Sequence, residues 1–247
     1  MLRAGEMALL DRRAHSAILK AMSTLRLPTP PQLERLIPVV FLATWIVCGI
    51  AVFAAALPLD CGLAQWCLAG NVPHLLRDPL KLCAVFGHGL MAAVVLLAMY
   101  QLDPSRRRAL WWVLACVALS GLAANGAKLL VARTRPGGFD FQHGVWATFG
   151  HWLPATSVAQ SFPSGHTATA AGLALALAAL YPRGRWLFLL LVVLVGCQRI
   201  ECGAHFLSDV LAGAAASCLV VACCLRLRSW IFRAWAGAEP PAGGRPA

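Results

Sequence analysis

Three cations, two imidazoles, a carboxylate and a Ser-Gly turn stand in order along this chain: Lys128 ahead of Arg135-Pro136, then Pro163-Ser164-Gly165-His166, then Arg199 ahead of His205 and Asp209. That set can hold a phosphate and attack its phosphorus. Lys128 and Arg135 are seven residues apart, close to two helical turns, so the spacing predicts both on one side of a helix that Pro136 then ends. Two fixed cations at a helix mouth suit an anion with several oxygens. For either residue alone, a snorkelling anchor is the plainer reading.

Pro163-Ser164-Gly165-His166 precedes an alanine-rich run and is expected to form the first turn of a helix, where free N–H groups and the positive end of the dipole collect. Ser164 can cap that turn, Gly165 lets an oxyanion approach the chain, and His166 can give a proton to a leaving oxygen. An ordinary capped helix start is the alternative. His205 and Asp209, four apart, are expected one turn apart on a helix face, with Asp209 fixing the imidazole tautomer and leaving the other nitrogen as a nucleophile. Arg199 adds a planar guanidinium able to grip two phosphate oxygens.

Nearly everything else is apolar. Of the 247 residues, 60% are hydrophobic and 13% charged, with a mean hydropathy of +0.70, which points to a polytopic membrane protein. Apolar stretches fall at 38–57, 80–100, 110–132, 164–180, 186–198 and 205–225. Barrel strands would alternate apolar with polar residues, and these do not, so the expected fold is an all-α bundle of six transmembrane helices. Its organisation is read as a basic cytoplasmic segment over 1–37, one membrane domain over 38–225, and a cytoplasmic, mostly disordered tail over 226–247. Residues 7–25 carry apolar positions on one face, as in a helix lying on the membrane surface.

Lysine and arginine outside the spans set the orientation. Arg12, Arg13, Lys20, Arg106, Arg107, Arg108, Arg183, Arg185, Arg226 and Arg228 fall on one side of a six-span arrangement, which makes both termini cytoplasmic. All three motifs then open on the other face, in a protein expected in a bacterial inner membrane. Arg133 is counted among the loop charges of that face. The net charge of +11 punctuates the spans, so anionic headgroups explain it better than nucleic acid does. Most of the ten cysteines fall in or at the ends of spans and behave as small apolar residues. Cys61 and Cys67 are expected in an outer loop, where a disulfide is possible. No pair has zinc spacing, and no metal is expected.

The three segments together, KLLVARTRP, PSGH and QRIECGAHFLSD, resemble the signature of the type 2 phosphatidic acid phosphatase superfamily, K-x6-R-P, P-S-G-H and S-R-x5-H-x3-D. The resemblance covers about 80–225, with Gln198 where the pattern usually has serine. It implies that His205 attacks phosphorus to form a phosphohistidine, that Asp209 orients it, and that His166 protonates the leaving group and later activates water. Lys128, Arg135, Arg199 and the Ser164-Gly165 amides would hold the phosphoryl oxygens, with no cofactor. A lipid phosphate or diphosphate is the implied substrate: undecaprenyl diphosphate, phosphatidic acid, phosphatidylglycerophosphate or a phosphorylated lipid anchor. A lipid phosphotransferase of the same family is the near alternative, and an anion transporter is the alternative from another class. Phe139, Phe141, Trp146, Phe149, Trp152 and Phe162, in the loop after Pro136, could dip into headgroups or cover a chain. His88, between Gly87 and Gly89, reads as a packed histidine, and His143 and His151 read as loop residues.

Overall fold

The computed structural model describes residues 30–150 and 156–236, with side chains over 43–150 and 156–228. The surface helix expected at 7–25, the tail from 237, His151 and Trp152 lie outside the described residues. Seven α-helices are described: α1 Pro30–Leu68, α2 His74–Ala84, α3 Gly89–Leu102, α4 Arg107–Leu130, α5 Gly165–Leu180, α6 Arg185–Glu201 and α7 Leu207–Ala236. Among the described residues, β-structure is limited to two isolated bridges. The all-α reading therefore holds.

Three stretches are long and apolar enough to cross a membrane: Ala43–Leu68, Pro104–Leu130 and Leu207–Arg228. A fourth crossing is formed if α2 and α3, bent by 73° about the Gly87-His88-Gly89 break, count as one. Length and composition thus support three or four spans where the apolar pattern predicts six. The difference lies in α5, apolar but only 16 residues, and α6, with 17.

Helix α1 also runs further than expected, through Leu68, so the segment read as an outer loop is helical. Cys61 and Cys67, both free thiols, are six positions apart on that helix. At 1.5 Å rise per residue they are separated by about 9 Å, beyond disulfide reach.

Helix α5 packs against α4, α6 and α7. Ala168, Ala170, Ala171, Ala174 and Ala176 are each at most 4% exposed, and such short side chains let neighbouring backbones close in. Two glycines mark the tightest approaches: a Cβ on Gly172 would lie 2.5 Å from Ser120 Oγ, and one on Gly213 would lie 2.5 Å from the Ser164 carbonyl oxygen. An apolar cluster of Leu96, Val113, Cys116, Leu173, Leu177 and Val221 joins α3, α4, α5 and α7.

At one end of the bundle, the Tyr181 hydroxyl donates to Asp103 Oδ2 at 2.9 Å, and the Arg106 guanidinium lies 4.6 Å from the Tyr181 ring centre and donates to the Leu180 carbonyl. These contacts tie the α3–α4 corner to the α5–α6 corner. They set α4 and α5 antiparallel, so the end of α4 meets the start of α5 at the opposite pole, where the motifs gather.

Candidate active site

The end of α4, the start of α5, the end of α6 and the loop before α7 converge on a cavity of about 400 Å³. Lys128, Arg135, Gly165, His166, Arg199 and His205 all line it. Ser164 and Asp209 stand behind them, fully buried. The motif residues that could touch a phosphate are therefore brought together, and the two that do not reach the cavity support those that do.

Lys128 and Arg135 arrive by a different route from the one their spacing suggests. Helix α4 ends at Leu130, and Val131 is already extended at φ −119°, ψ 110°. The following residues run as a ribbon: Arg133 N–H donates to Ala159 O at 2.8 Å, Ser161 N–H to Arg133 O at 2.9 Å, and Arg135 N–H to Val158 O at 3.0 Å. Branched Val131 and Thr134 favour extended backbone, and Pro136 holds Arg135 there at φ −72°, ψ 149°. The long loop supplies the hydrogen bonds that a helix would otherwise have made. Lys128 Nζ donates to Gln160 O on that loop at 2.8 Å.

Ser164 caps α5. Its Oγ accepts from Thr167 N–H at 3.4 Å and pairs with Thr167 Oγ1 at 2.9 Å, while its own N–H donates to the Asp209 carbonyl at 3.0 Å. The hydroxyl is spent on the cap. Gly165 is the member of the pair that faces the cavity, at the positive end of the helix dipole.

His205 precedes α7, which begins at Leu207, so it does not share a helical face with Asp209. Its Nδ1 lies 2.7 Å from the Ser161 carbonyl oxygen, against 3.8 Å from Asp209 Oδ2. A carbonyl can only accept, so Nδ1 carries the proton and Nε2 keeps its lone pair. The expectation that Asp209 fixes the tautomer directly is thus corrected, because Ser161 stands between them. Asp209 Oδ2 accepts from Ser161 Oγ at 2.6 Å and from Phe206 N–H at 2.9 Å, acting on the ring by holding the segments on either side of it. Burial, helped by the charges of Lys128 and Arg135, keeps the His205 imidazole below its ordinary pKa, with Asp209 opposing.

The residue that sequence reasoning missed is Arg133. It is fully buried rather than a loop charge, donating Nη1 to Asp209 Oδ1 at 2.5 Å and to Ser208 Oγ at 2.7 Å, Nη2 to Asp60 Oδ2 at 2.7 Å, and Nε to Thr148 Oγ1 at 3.1 Å. Its guanidinium carbon lies 4.5 Å from the Phe149 ring centre and 4.4 Å from that of Phe206. Asp60 completes the group by accepting from Ser208 N–H at 2.9 Å. Only its place between the motif residues Lys128 and Arg135 hinted at this, since Asp60 is 73 positions away.

Three other expectations meet their geometry here. Gln198, the departure from the usual serine, is 5% exposed, and its Oε1 accepts from Arg199 Nε at 2.6 Å and from Nη2. The amide braces the guanidinium instead of merely losing a hydroxyl. Among the loop aromatics, Phe149 serves Arg133, Phe162 packs edge-on against Phe53 at 5.3 Å, and Trp146 stays exposed. His88, read as a packed residue, is exposed on the cavity wall, its ring centre 6.0 Å from that of His166.

Fold and site define a helical membrane protein with a cationic cavity of about 400 Å³ served by imidazoles. The family model of the PAP2 superfamily matches residues 109–233, and the chain belongs to that superfamily. Over 101 residues it is 42% identical to a lipid A 1-phosphatase of Rhizobium johnstonii and 39% identical to one of Rhizobium etli. Each match takes in 40% of this chain and 39% or 41% of the relative, so the chain spans about two fifths of the length of these curated relatives. Among solved structures, the PAP2-type phosphatidylglycerolphosphate phosphatase of Bacillus subtilis superposes with a TM-score of 0.54 over 77% of this chain and 96% of that one, at 18% identity, a likeness of fold.

Proposed function

We propose that this protein is an integral membrane phosphatase that cleaves a phosphomonoester or diphosphate of a lipid through a phosphohistidine. The observation that carries this reading is the pairing of His205 Nδ1 with the Ser161 carbonyl at 2.7 Å, on the wall of a cavity that also holds Lys128, Arg135, Arg199 and His166. That pairing leaves Nε2 unprotonated toward a bound phosphate.

In the first step Nε2 of His205 forms the N–P bond while the bond from phosphorus to the lipid oxygen breaks, and His166 gives that oxygen its proton. In the second, His166 takes a proton from water, the water oxygen attacks phosphorus, and the N–P bond breaks to release phosphate. Lys128, Arg135, Arg199 and the Gly165 N–H hold the equatorial oxygens as charge develops on them. Asp209 stabilises the positive ring through Ser161 and its own field.

Substrate and topology follow from the same reading. A membrane-embedded cavity suits a lipid arriving through the bilayer, and the matched relatives make a lipid A 1-phosphate the first candidate alongside undecaprenyl diphosphate, phosphatidic acid and phosphatidylglycerophosphate. With α2 and α3 as one bent span, and α5 and α6 as short spans of about 24–26 Å, the chain crosses six times. The termini are then cytoplasmic and the cavity opens on the other face.

The test is a panel of these lipids offered to detergent-purified protein. Phosphate release that resists EDTA, yields to vanadate and disappears in His205→Ala is the expected result. Anion flux without phosphate release would favour a transporter, and label passing to an added alcohol in place of water would favour a phosphotransferase. Maleimide labelling of single cysteines at 106 and 138 in intact cells checks the topology, with only the latter reacting from outside.

A further inference from the structure

The cavity is larger than its phosphate ligands require, and its remaining wall is polar without being charged. Helices α4 and α5 run in opposite directions, so the turn before Lys128 lies level with Gly165, and the turn after Gly165 lies one turn deeper, level with Gly121. Asn125 and Thr169 occupy those turns, and both line the cavity. Contacts at the glycines fix the layering. A Cβ on Gly165 would lie 3.7 Å from Asn125 Oδ1 and from Lys128 Cε, while one on Gly121 would lie 3.4 Å from Thr169 Oγ1. Gly121 thus keeps the deep end open.

His88 closes this layer from the bent helix pair. A Cβ on Gly87 would lie 2.8 Å from the His166 carbonyl oxygen and 2.9 Å from Val195 Cγ1, so only glycine lets the break seat directly on the first turn of α5. His88 Nδ1 accepts from Leu90 N–H at 3.3 Å, capping α3 and leaving Nε2–H as the donor. Its ring stands edge to face with His166, 6.0 Å between centres.

We infer that His88, Asn125 and Thr169 form a second, uncharged subsite that hydrogen-bonds the hydroxyl or amide groups of the alcohol being released. The inference rests on the phosphatase reading and deepens it. The three residues line the same cavity as His166, the proposed proton donor to the leaving oxygen, so the group attached to that oxygen is placed among them. An imidazole N–H donor, a hydroxyl and a carboxamide match a sugar or glycerol headgroup. They would be left unpaired by a polyprenyl chain, and a site built to hydrogen-bond a substrate rejects analogues that lack the partner. Selection of lipids with a polar headgroup over polyprenyl phosphates is the consequence.

The experiment compares kcat/KM for a glycosyl or glyceryl lipid phosphate with kcat/KM for farnesyl phosphate, in wild type and in the Asn125→Leu/Thr169→Val double variant, with His88→Ala measured separately. Wild type is expected to prefer the polar-headed substrate, and the double variant to move the ratio toward farnesyl phosphate by about 10- to 100-fold. His88→Ala should move it the same way by a smaller factor. A ratio unchanged in both variants, whether or not overall activity falls, overturns the subsite while leaving the phosphatase reading intact. Wild type that hydrolyses neither lipid nor p-nitrophenyl phosphate overturns both.

Discussion

Arg133 and Asp209 form a fully buried ion pair, Nη1 to Oδ1 at 2.5 Å, and through it a residue just past the end of α4 is tied to the first turn of α7. Asp60, on α1, holds the other guanidinium nitrogen at 2.7 Å. Three segments that share no local sequence are thereby locked behind the cavity wall. The arrangement shares one cation between two carboxyl groups and satisfies the remaining polar atoms through Ser208, Thr148, Ser161 and backbone N–H groups. Removing one member leaves uncompensated buried charge.

Arg133→Met is therefore expected to cost about 3–5 kcal/mol of stability, because two buried carboxylates lose their partner. Asp60→Asn should cost less, since the amide keeps its shape and one acceptor. Denaturation in mixed micelles measures both, and an Arg133→Met protein as stable as wild type would contradict the buried triad.

Ser161 is predicted to matter through both of its oxygens. Its carbonyl fixes His205, while its hydroxyl, 2.6 Å from Asp209 Oδ2, holds that carbonyl in place. Ser161→Ala should lower kcat by about 10-fold with little change in KM, whereas Asp209→Ala should lower it by 100-fold or more. Wild-type kcat in Ser161→Ala would mean that Asp209 does not act through the Ser161 hydroxyl.

Burial lowers the His205 pKa, and the charges of Lys128 and Arg135 act in the same direction. The ring stays neutral below the ordinary imidazole range, so the nucleophile remains available as pH falls until the depressed pKa is reached. Folding stability linked to this group likewise falls on acidification, because the unfolded imidazole binds its proton first. Phosphoenzyme formation, followed by rapid quench across pH 4.5–8 with a diphosphate substrate, should keep its rate at pH 6. An acid limb centred above the ordinary imidazole value would refute the assignment.

Glycines at two positions are expected to respond oppositely to alanine. On Gly213 the new Cβ would lie 2.5 Å from the Ser164 carbonyl oxygen, a backbone atom that cannot step aside, so Gly213→Ala should displace the start of α5 and cost about 1–3 kcal/mol along with most activity. Gly126 has nothing within 4 Å of its would-be Cβ, and Gly126→Ala should be neutral or stabilising by up to about 1 kcal/mol. Thermal shift and turnover on the two variants read both effects together.

The helical bundle and most of the side chains that line the cavity are legible in the sequence because each rests on local chemistry. Runs of leucine and alanine dictate helices in lipid, and Lys128, Arg135, Gly165, His166, Arg199 and His205 were named by residue type and spacing. What spacing misjudged was the path between them. A separation of seven suits two helical turns and an extended ribbon alike, and only hydrogen bonds from the 158–161 loop decide for the ribbon. A separation of four likewise suggested a shared helical face for His205 and Asp209, but α7 starts after the histidine.

Tertiary structure alone decided the roles of Arg133, Asp60, Ser161 and His88. Their meaning lies in partners 44 to 76 positions away, as with Arg133 and Asp209 or Ser161 and His205, or, for His88, in a helix break seated on His166. A charge looks the same in sequence whether it snorkels to water or is buried against two carboxylates, because desolvation and pairing are properties of the folded neighbourhood and not of the chain.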